Sequence, residues 1–227
     1  MDETPGIKDS LFLTHWCGIR DYKVVSETNP EIFHENFSTF ADFIKAFYKK
    51  ENPGYPKFYK MDNLSKLGFM ASEIVLRNSR AMELFNKEKI GVFLSNSSSS
   101  LDTDMGYQET IRNQSNYFPS PALFVYTLAN IVIGEICIRY GIKGENAFFI
   151  SEKFDPALMF HHVSALFDNG QTEACLGGWV ELLKDKHDAF VFLIQKGSSS
   201  LQDATAGNKM ISFNEENLLN CYLKQSN

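Results

Sequence analysis

The sequence lacks an excess of basic residues. It holds 22 Lys and Arg residues against 28 Asp and Glu residues, which gives a formal net charge of −6 at pH 7. Proteins that bind nucleic acid or an anionic membrane surface usually present a basic patch or stripe. The charge balance therefore gives no reason to expect a nucleic-acid or anionic-membrane partner.

Cysteine motifs are also missing. The four cysteines are scattered and include neither a Cys-x-x-Cys pair nor a histidine at ligand spacing; they are Cys17, Cys137, Cys175 and Cys221. This pattern excludes a zinc site of the short-motif type and is typical of a reducing compartment, where such residues are small buried hydrophobes. We expect no metal, no cofactor and a cytoplasmic location.

Targeting patterns and long apolar runs are absent as well. Residues 1–6 hold no basic segment followed by an apolar one, so a secretory signal is not expected. The most hydrophobic stretch, residues 121–138, is interrupted by Pro121, Asn130 and Glu135. Because a membrane-spanning helix needs ~20 mainly apolar residues, this stretch predicts a buried helix and no membrane span.

Phenylalanine is what the sequence has in surplus. Its 20 Phe, 9 Tyr and 2 Trp residues bring the aromatic share to 14%. These side chains indicate a bulky core or pocket to fill. A chain of 227 residues can bury a substantial core without disulfides, and we expect one domain over residues 1–227.

Apolar runs alternate with helical patterns along the chain. Strands are predicted at residues 11–17, 90–94, 146–150, 174–179 and 189–194. Helices are predicted between Phe37 and Phe47, after an N-cap at Asp62, over residues 123–140 and over residues 156–168, and a last strand and helix over residues 209–224. Because the strands are nearly all apolar, the pattern favours an α/β domain with helices layered on a mixed, mostly buried sheet.

Five segments resemble a known family when they are taken in order. They are residues 59–65 (Tyr-Lys-Met-Asp-Asn-Leu-Ser), 89–95 (Lys-Ile-Gly-Val-Phe-Leu-Ser), 118–121 (Phe-Pro-Ser-Pro), 139–146 (Arg-Tyr-Gly-Ile-Lys-Gly-Glu-Asn) and 170–181 (Gly-Gln-Thr-Glu-Ala-Cys-Leu-Gly-Gly-Trp-Val-Glu). Together they resemble the N-terminal half of the β-ketoacyl-[acyl carrier protein] synthases, which have the thiolase fold. The resemblance covers roughly residues 59–195 and implies a thiolase-like half.

The resemblance also implies where a nucleophile would stand. In that family a cysteine at a sharp strand-to-helix turn accepts an acyl group and condenses it with a malonyl-carrier thioester. A helix N-terminus lowers the pKa of such a thiol. The matching turn lies within residues 149–158, and the place of the cysteine falls on Phe154. None of the four cysteines fits there without breaking the flanking match, so we expect no catalytic residue at this turn.

A second departure concerns the family's two catalytic histidines, which belong to its C-terminal half. This sequence resembles only the first half, and His161 and His162 match neither histidine. The resemblance therefore implies an accessory, non-catalytic protein of fatty-acid or polyketide synthesis that influences chain length beside an active synthase. Two alternatives stay open: an acyl-thioester enzyme that is active only in a complex, and a repurposed binding module.

The expected partners follow from the same resemblance. They are a full-length ketosynthase and an acyl carrier protein. A half-domain would expose the face that normally contacts the other half, so a homo- or heterodimer is expected. In the family the strand before the nucleophile pairs across the dimer axis, which makes residues 147–151 the candidate dimer strand.

Each candidate residue also has a plainer interpretation. Phe154 is either a plug in an acyl channel or ordinary core. His161 and His162 point about 100° apart on a helix, so they cannot share a metal, and we expect one in the core and one exposed. Ser151, Asp155 and His161 make a poor hydrolytic triad, because no Gly-x-Ser-x-Gly elbow is present.

Two further runs carry weaker signals. The serines at 95–100 and 198–200 lack the Gly-Lys-Ser/Thr of a phosphate-binding loop, so both predict mobile loops. The mixed-charge run at residues 184–188 predicts a solvated turn.

Overall fold

The computed structural model describes residues 10–197 and 210–225. The serine run at 198–200 and the start of the last predicted strand at Lys209 lie outside the described residues. The fold is built on one mixed sheet of eight strands. These are β1 (Leu11–Arg20), β2 (Lys23–Ser26), β3 (Phe33–His34), β4 (Ile90–Asn96), β5 (Asn146–Ile150), β6 (Ala174–Leu183), β7 (Lys186–Lys196) and β8 (Ile211–Ser212).

The strand order explains which strands are central. Neighbouring strands follow the order β3-β2-β1-β7-β6-β4-β5, and β8 pairs with β1. Strand β4 runs parallel to β5 and β6, whereas the other pairs are antiparallel. Strand β5 therefore lies at one end of the sheet, with β4 as its neighbour.

Two layers of helices cover the sheet. The helices are α1 (Phe40–Glu51), α2 (Asn63–Asn78), α3 (Ala81–Leu84), α4 (Leu101–Ile111), α5 (Pro121–Phe124), α6 (Ile131–Tyr140), α7 (Pro156–Asp168) and α8 (Glu215–Lys224). Side chains of α1, α2 and α6 share one hydrophobic cluster with Ala189, Val191 and Leu193 of β7. Side chains of α7 and α8 share the other cluster with Phe190 and Phe192. Because successive strand residues point to opposite faces, the two clusters lie on opposite faces, and the predicted α/β layering is confirmed.

Strand β5 and helix α7 form over the predicted residues 146–150 and 156–168. Asp62 is the N-cap of α2, and its carboxylate accepts a hydrogen bond from the backbone N–H of Ser65. Strands β1, β4, β6 and β7 are longer than predicted, and β6 and β7 form one hairpin. The short strands β2 and β3 were not predicted.

The single helix predicted over residues 123–140 is wrong. The chain forms the short α5, a stretch of turns and then α6. The hydroxyl of Ser100 donates to the carbonyl of Thr127 over 2.9 Å, and the N–H of Ile131, which would bond that carbonyl in a helix, bonds Leu128 instead. A long-range contact therefore replaces the helical bond at this point.

Two adjacent glycines allow β6 and β7 to approach closely. A Cβ atom on Gly177 would lie 2.4 Å from the ring of Phe192, and one on Gly178 would lie 2.7 Å from the carbonyl oxygen of Phe190. Both distances are shorter than any ordinary carbon contact. The Gly-Gly pair of the segment at 170–181 is thus required by the ring of Phe192 and by the backbone of β7.

We expect Gly178→Ala to lower the free energy of unfolding by about 1–3 kcal/mol, because the added methyl group forces the β6–β7 backbone apart. Gly134→Ala is the matched control, since a Cβ atom there meets no atom within 4 Å in the middle of α6. It is expected to stabilise the protein by about 0.5–1 kcal/mol. Urea denaturation of both variants measures the difference, and an equal response at the two positions would contradict the explanation.

The carboxyl ends of the parallel strands β4, β5 and β6 lie together along one end of the sheet. We call this its carboxyl edge, as distinct from the outer edge of strand β5. Residues 97–100 follow β4, residues 151–155 follow β5, and the turn at Lys184 and Asp185 follows β6. In α/β proteins ligands commonly bind in the crevice outside the carboxyl ends of parallel strands. This edge is therefore where a functional site is sought.

Candidate functional site at the carboxyl edge of the sheet

The turn between β5 and α7 is built to start a helix. Asp155 is the N-cap, and its Oδ1 accepts a hydrogen bond of 3.0 Å from the backbone N–H of Leu158. Pro156 occupies the first helical position, where its missing N–H has no cost. Phe154 directly precedes the cap, so its side chain lies at the N-terminal end of α7.

Phe154 is buried, with 4% of its surface exposed. Its ring lies 5.6 Å from that of Phe190 on β7, in an edge-on contact, and 4.6 Å from that of Tyr222 on α8. The same ring lines a cavity. Phe154 thus has features of both interpretations, a core residue and a plug, since its ring belongs to the core cluster and also forms a wall of the cavity.

The cavity beside Phe154 has a volume of about 530 Å³. Its apolar wall includes Trp179, Leu183 and Tyr222, and its rim includes Lys153 and Lys186. A largely apolar cavity with a few polar groups is the usual form of a ligand site. The lining residues come from strands β1, β6 and β7, from the segment after β4, from the β5–α7 turn and from α8, so the fold assembles the cavity from distant parts of the sequence.

One polar network closes the side of the cavity formed by the serine-rich segment. The carboxylate of Glu181 on β6 accepts hydrogen bonds from the backbone N–H groups of Ser97 and Ser98 at 2.6 and 3.1 Å, and from the hydroxyl of Ser98. These donors are the ones that a phosphate would use in a phosphate-binding loop. Here the carboxylate of Glu181 takes the place of such an anion at Ser97 and Ser98. The prediction of a mobile loop at 95–100 did not include this contact.

A second network centres on Asp188 and ties α8 to the sheet. Its carboxylate accepts hydrogen bonds from the guanidinium of Arg20 at 3.0 and 2.9 Å, from the hydroxyl of Tyr222 at 2.6 Å and from the amide of Gln225 at 3.1 Å. Burial, and then the bond to Asp188, raises the pKa of Tyr222. Asp188 thus connects β7, β1 and the C-terminal helix beside the cavity.

The predicted solvated turn at residues 184–188 is wrong for His187 and Asp188. The turn consists of Lys184 and Asp185 alone, and β7 begins at Lys186. Strand alternation then turns His187 inward, where it is 7% exposed. No residue type in the run signals this burial, because it depends on where the hairpin turns.

The two helical histidines do not form a site. His161 is exposed, and His162 is half-buried against the ring of Phe149 at 4.6 Å. The exposed member is confirmed, but the other packs on β5 at the sheet edge instead of entering the core. Ser151 donates to the carbonyl of Lys153, so Ser151 and His161 form no triad with Asp155.

The cysteines lie on β1, α6, β6 and α8, away from the β5–α7 turn, and all four are free thiols. Three are buried and Cys137 is half-buried. Burial raises the pKa of each thiol, as expected for small hydrophobes; the four are Cys17, Cys137, Cys175 and Cys221. Within residues 10–197 and 210–225, no three His, Cys, Asp or Glu side chains are grouped so that they could hold a metal ion.

Helix α8 changes the expectation of an exposed half-domain face. Its residues Leu218 and Cys221 are buried in the same cluster as Met159 and Val163 of α7. Phe213, just before α8, contacts Phe160 of α7 with ring centroids 5.3 Å apart. One side of α7 is therefore covered by a later part of the same chain.

The architecture and the strand-turn-helix site define a class of protein: the chain has the thiolase-like fold of the ketosynthases. It aligns with the ishigamide ketosynthase/chain length factor at a TM-score of 0.64 and 16% identity, over 84% of this chain and 63% of that one. The fold predicted from the sequence is thereby confirmed. No protein-family profile and no curated protein sequence matches the chain.

Two further solved structures share the fold. One is AntDE:AntF, a type II polyketide synthase acyl-carrier protein in complex with its ketosynthase, with a TM-score of 0.62, 14% identity and coverage of 89% of this chain and 66% of that one. The other is the ketosynthase ApeO in complex with its chain length factor ApeC from Xenorhabdus doucetiae, with a TM-score of 0.53 and 12% identity. There the alignment covers 87% of this chain and 90% of the matched chain. The chain thus spans less than two thirds of the first two neighbours and nearly all of the third.

Among residues 10–197 and 210–225, no helix has the length and hydrophobicity needed to cross a membrane.

Proposed function

We propose that this protein is a ketosynthase-like subunit without a nucleophile of its own, which assists an active synthase in fatty-acid or polyketide synthesis and influences the length of its product. The observation that carries the proposal is Phe154, which lies buried at the start of α7. In the family that the sequence resembles, this place belongs to the acyl-accepting cysteine.

The chemistry of the turn supports a non-catalytic subunit. A phenyl ring has no lone pair with which to attack a thioester, so the helix N-terminus has no thiol to activate. The carboxylate of Asp155 is occupied by the N–H of Leu158. The four thiols lie on other elements and burial raises the pKa of each.

The outer edge of β5, beside which no strand of the described residues lies, supports a partner that adds a strand. The N–H of Val92 bonds the carbonyl of Glu145, and the N–H of Ser151 bonds the carbonyl of Asn96, both at 2.9 Å. Backbone groups of a strand alternate in direction, so those of Phe148 and Ile150 point away from β4. Such an edge is a template for pairing with another chain, as expected of the dimer strand at residues 147–151.

An apolar surface beside α4 and α5 supports the same conclusion. We call it the 101–128 face; its large exposed side chains are Leu101, Met105, Tyr117, Phe118, Phe124, Val125 and Leu128. Phe118 alone is 77% exposed. Exposed apolar patches of this kind mark protein-protein contact sites. The proposed occupant is a ketosynthase subunit, with which this chain would form a heterodimer.

The neighbours support these partners in outline. The ApeO–ApeC structure pairs a ketosynthase with a chain length factor, and its matched chain is nearly as long as this one. The AntDE:AntF structure adds an acyl carrier protein. By analogy, the partners of this chain are a full-length ketosynthase and, through it, an acyl carrier protein. Its four free cysteines accord with a reducing cytoplasm.

The cavity beside Phe154 favours one second candidate, a module that binds a small apolar molecule without transforming it. The volume of about 530 Å³ and the wall formed by Trp179, Leu183 and Tyr222 support this candidate.

Mass spectrometry of the isolated protein, after incubation with acyl- and malonyl-carrier thioesters, tests the proposal. We expect no turnover and no covalent acyl adduct on the protein. Turnover or a stable adduct would overturn the non-catalytic function. Native spectra of the same samples would show a retained non-covalent ligand if the second candidate is correct.

The accessory role has its own test. The protein is produced together with a full-length ketosynthase, and the acyl products are compared with those of the ketosynthase alone. A changed product length supports the role, and identical products in the presence of a stable complex contradict it.

A further inference from the structure

Three separate segments meet on the side chain of His187. Its Nε2 lies 3.1 Å from the backbone N–H of Tyr22, in the β1–β2 turn. Its Nδ1 lies 2.9 Å from the carbonyl of Asp185, in the β6–β7 turn. The carboxylate of Asp185 in turn accepts a 2.9 Å bond from the N–H of Phe40, the first residue of α1. The imidazole therefore links two hairpin turns, and through Asp185 it links the start of a helix.

Aromatic rings enclose the imidazole. Its centroid lies 4.9 Å from that of Tyr22, 5.0 Å from that of Phe40 and 5.4 Å from that of Phe43. Water therefore has little access to the ring, and the two hydrogen bonds are its polar contacts. His187 also lines the cavity beside Phe154, together with Asp21 and Asp188.

One protonation state satisfies both bonds. The N–H of Tyr22 can only donate, so Nε2 must accept, and the carbonyl of Asp185 can only accept, so Nδ1 must carry the proton. A second proton would place an N–H on Nε2 directly against the N–H of Tyr22. Asp21 and Tyr22 already have left-handed backbone angles, with φ of 49° and 62°, so the turn would lose an outside support for an unfavourable conformation.

We infer that His187 is an acid-sensitive link between two turns: protonation of its ring detaches the β1–β2 turn from the β6–β7 turn and opens this corner of the cavity.

Burial and the surrounding charges act on His187 in opposite directions, and burial has the larger effect. Asp21 faces it from the β1–β2 turn, and Asp185 and Asp188 face it from the β6–β7 hairpin; all three carboxylates favour the imidazolium. Helix α1 contributes the apolar rings of Phe40 and Phe43. Burial dominates and lowers the pKa of His187 below its ordinary value.

The sign of the pH dependence follows from this direction. Because the folded-state pKa is lowered, the unfolded corner binds more protons than the folded one. The stabilisation by His187 is thus fully present above the ordinary histidine pKa of about 6.5, and it is lost as the pH falls below that value. A second buried histidine, His15, has a pKa lowered by burial to about 4 and loses its stabilisation in the same direction as the pH falls, so the His187→Gln variant is needed to assign the effect to His187.

Amide hydrogen exchange of Tyr22, corrected for the intrinsic exchange rate, is the direct test. Between pH 7.5 and 5 we expect its protection to fall by about tenfold for each unit by which the pKa of His187 is lowered. The amide of Phe192 in the sheet core is the internal reference for global opening, and Tyr22 should be less protected than Phe192 throughout this range. In His187→Gln, whose amide can donate to Asp185 and accept from Tyr22 without titrating, the protection of Tyr22 should not depend on pH.

His34→Gln is the matched control, because His34 is exposed and pairs with Glu31; it should behave like the unchanged protein. If the protection of the Tyr22 amide still depends on pH in His187→Gln, the proposed role of His187 is wrong. An imidazole titration by NMR on the unchanged protein decides the matter if that variant does not fold. A pKa of His187 at or above the ordinary histidine value of about 6.5 would equally overturn this role.

Discussion

A chain that carries Ile150→Pro is expected to lose its partner while it keeps its fold. Ile150 lies at the end of β5, is 56% exposed, and directs its backbone N–H away from β4. Proline removes that donor and places a ring at the sheet edge. The fold of the chain tolerates proline at an edge strand, because the missing N–H makes no hydrogen bond within the sheet. We expect the assembly to weaken by about a hundredfold or more, which corresponds to about 2.7 kcal/mol.

Sedimentation or light scattering of the protein, alone and with its ketosynthase, measures this effect. Ile150→Val is the matched control, because it keeps the N–H and the β-branched side chain. An Ile150→Pro variant that assembles as tightly as Ile150→Val would show that the edge of β5 is not the interface. Phe149 is a poor position for this test, because its ring packs against Phe93 and His162 within the chain.

Local signals were sufficient where the structure depends on neighbouring residues. Asp155 and Pro156 specify the start of α7, and Asp62 specifies the start of α2, because capping bonds reach only three residues along the chain. The apolar run at residues 90–94 likewise predicted β4. The strand-turn-helix element around Phe154 could therefore be predicted from the sequence.

The rest of the site depends on contacts between distant residues, and no local pattern specifies them. Asp188 contacts Tyr222 and Gln225, which lie more than thirty positions later, and Glu181 contacts Ser97 and Ser98 across more than eighty positions. The break between α5 and α6 has the same origin in the bond from Ser100. A residue of unremarkable type thus gains its role only when the sheet order is known.

The covering of α7 by α8 shows the same limit at the level of the fold. The resemblance compared this chain with one half of a two-half fold, which predicted an exposed face. The apolar positions Leu218 and Cys221 suit any amphipathic helix, and the sequence does not say which surface they cover. The structure places them on α7, and the surfaces that we propose for a partner are the edge of β5 and the 101–128 face.

Phe154→Ala is expected to give the second large effect, a loss of about 3–5 kcal/mol in the free energy of unfolding. Removing a buried phenyl ring costs its transfer free energy and leaves a cavity that the surroundings fill only in part. Here the rings of Phe190 and Tyr222 lose their contact, and the existing opening of about 530 Å³ prevents the wall from closing around the gap. Phe154→Leu is the matched control and should lose markedly less, because it keeps most of the buried apolar surface. Urea denaturation measures both variants. If Phe154→Ala is as stable as Phe154→Leu, the ring does not stabilise the core. Its role at the start of α7 would then be to form a wall of the cavity.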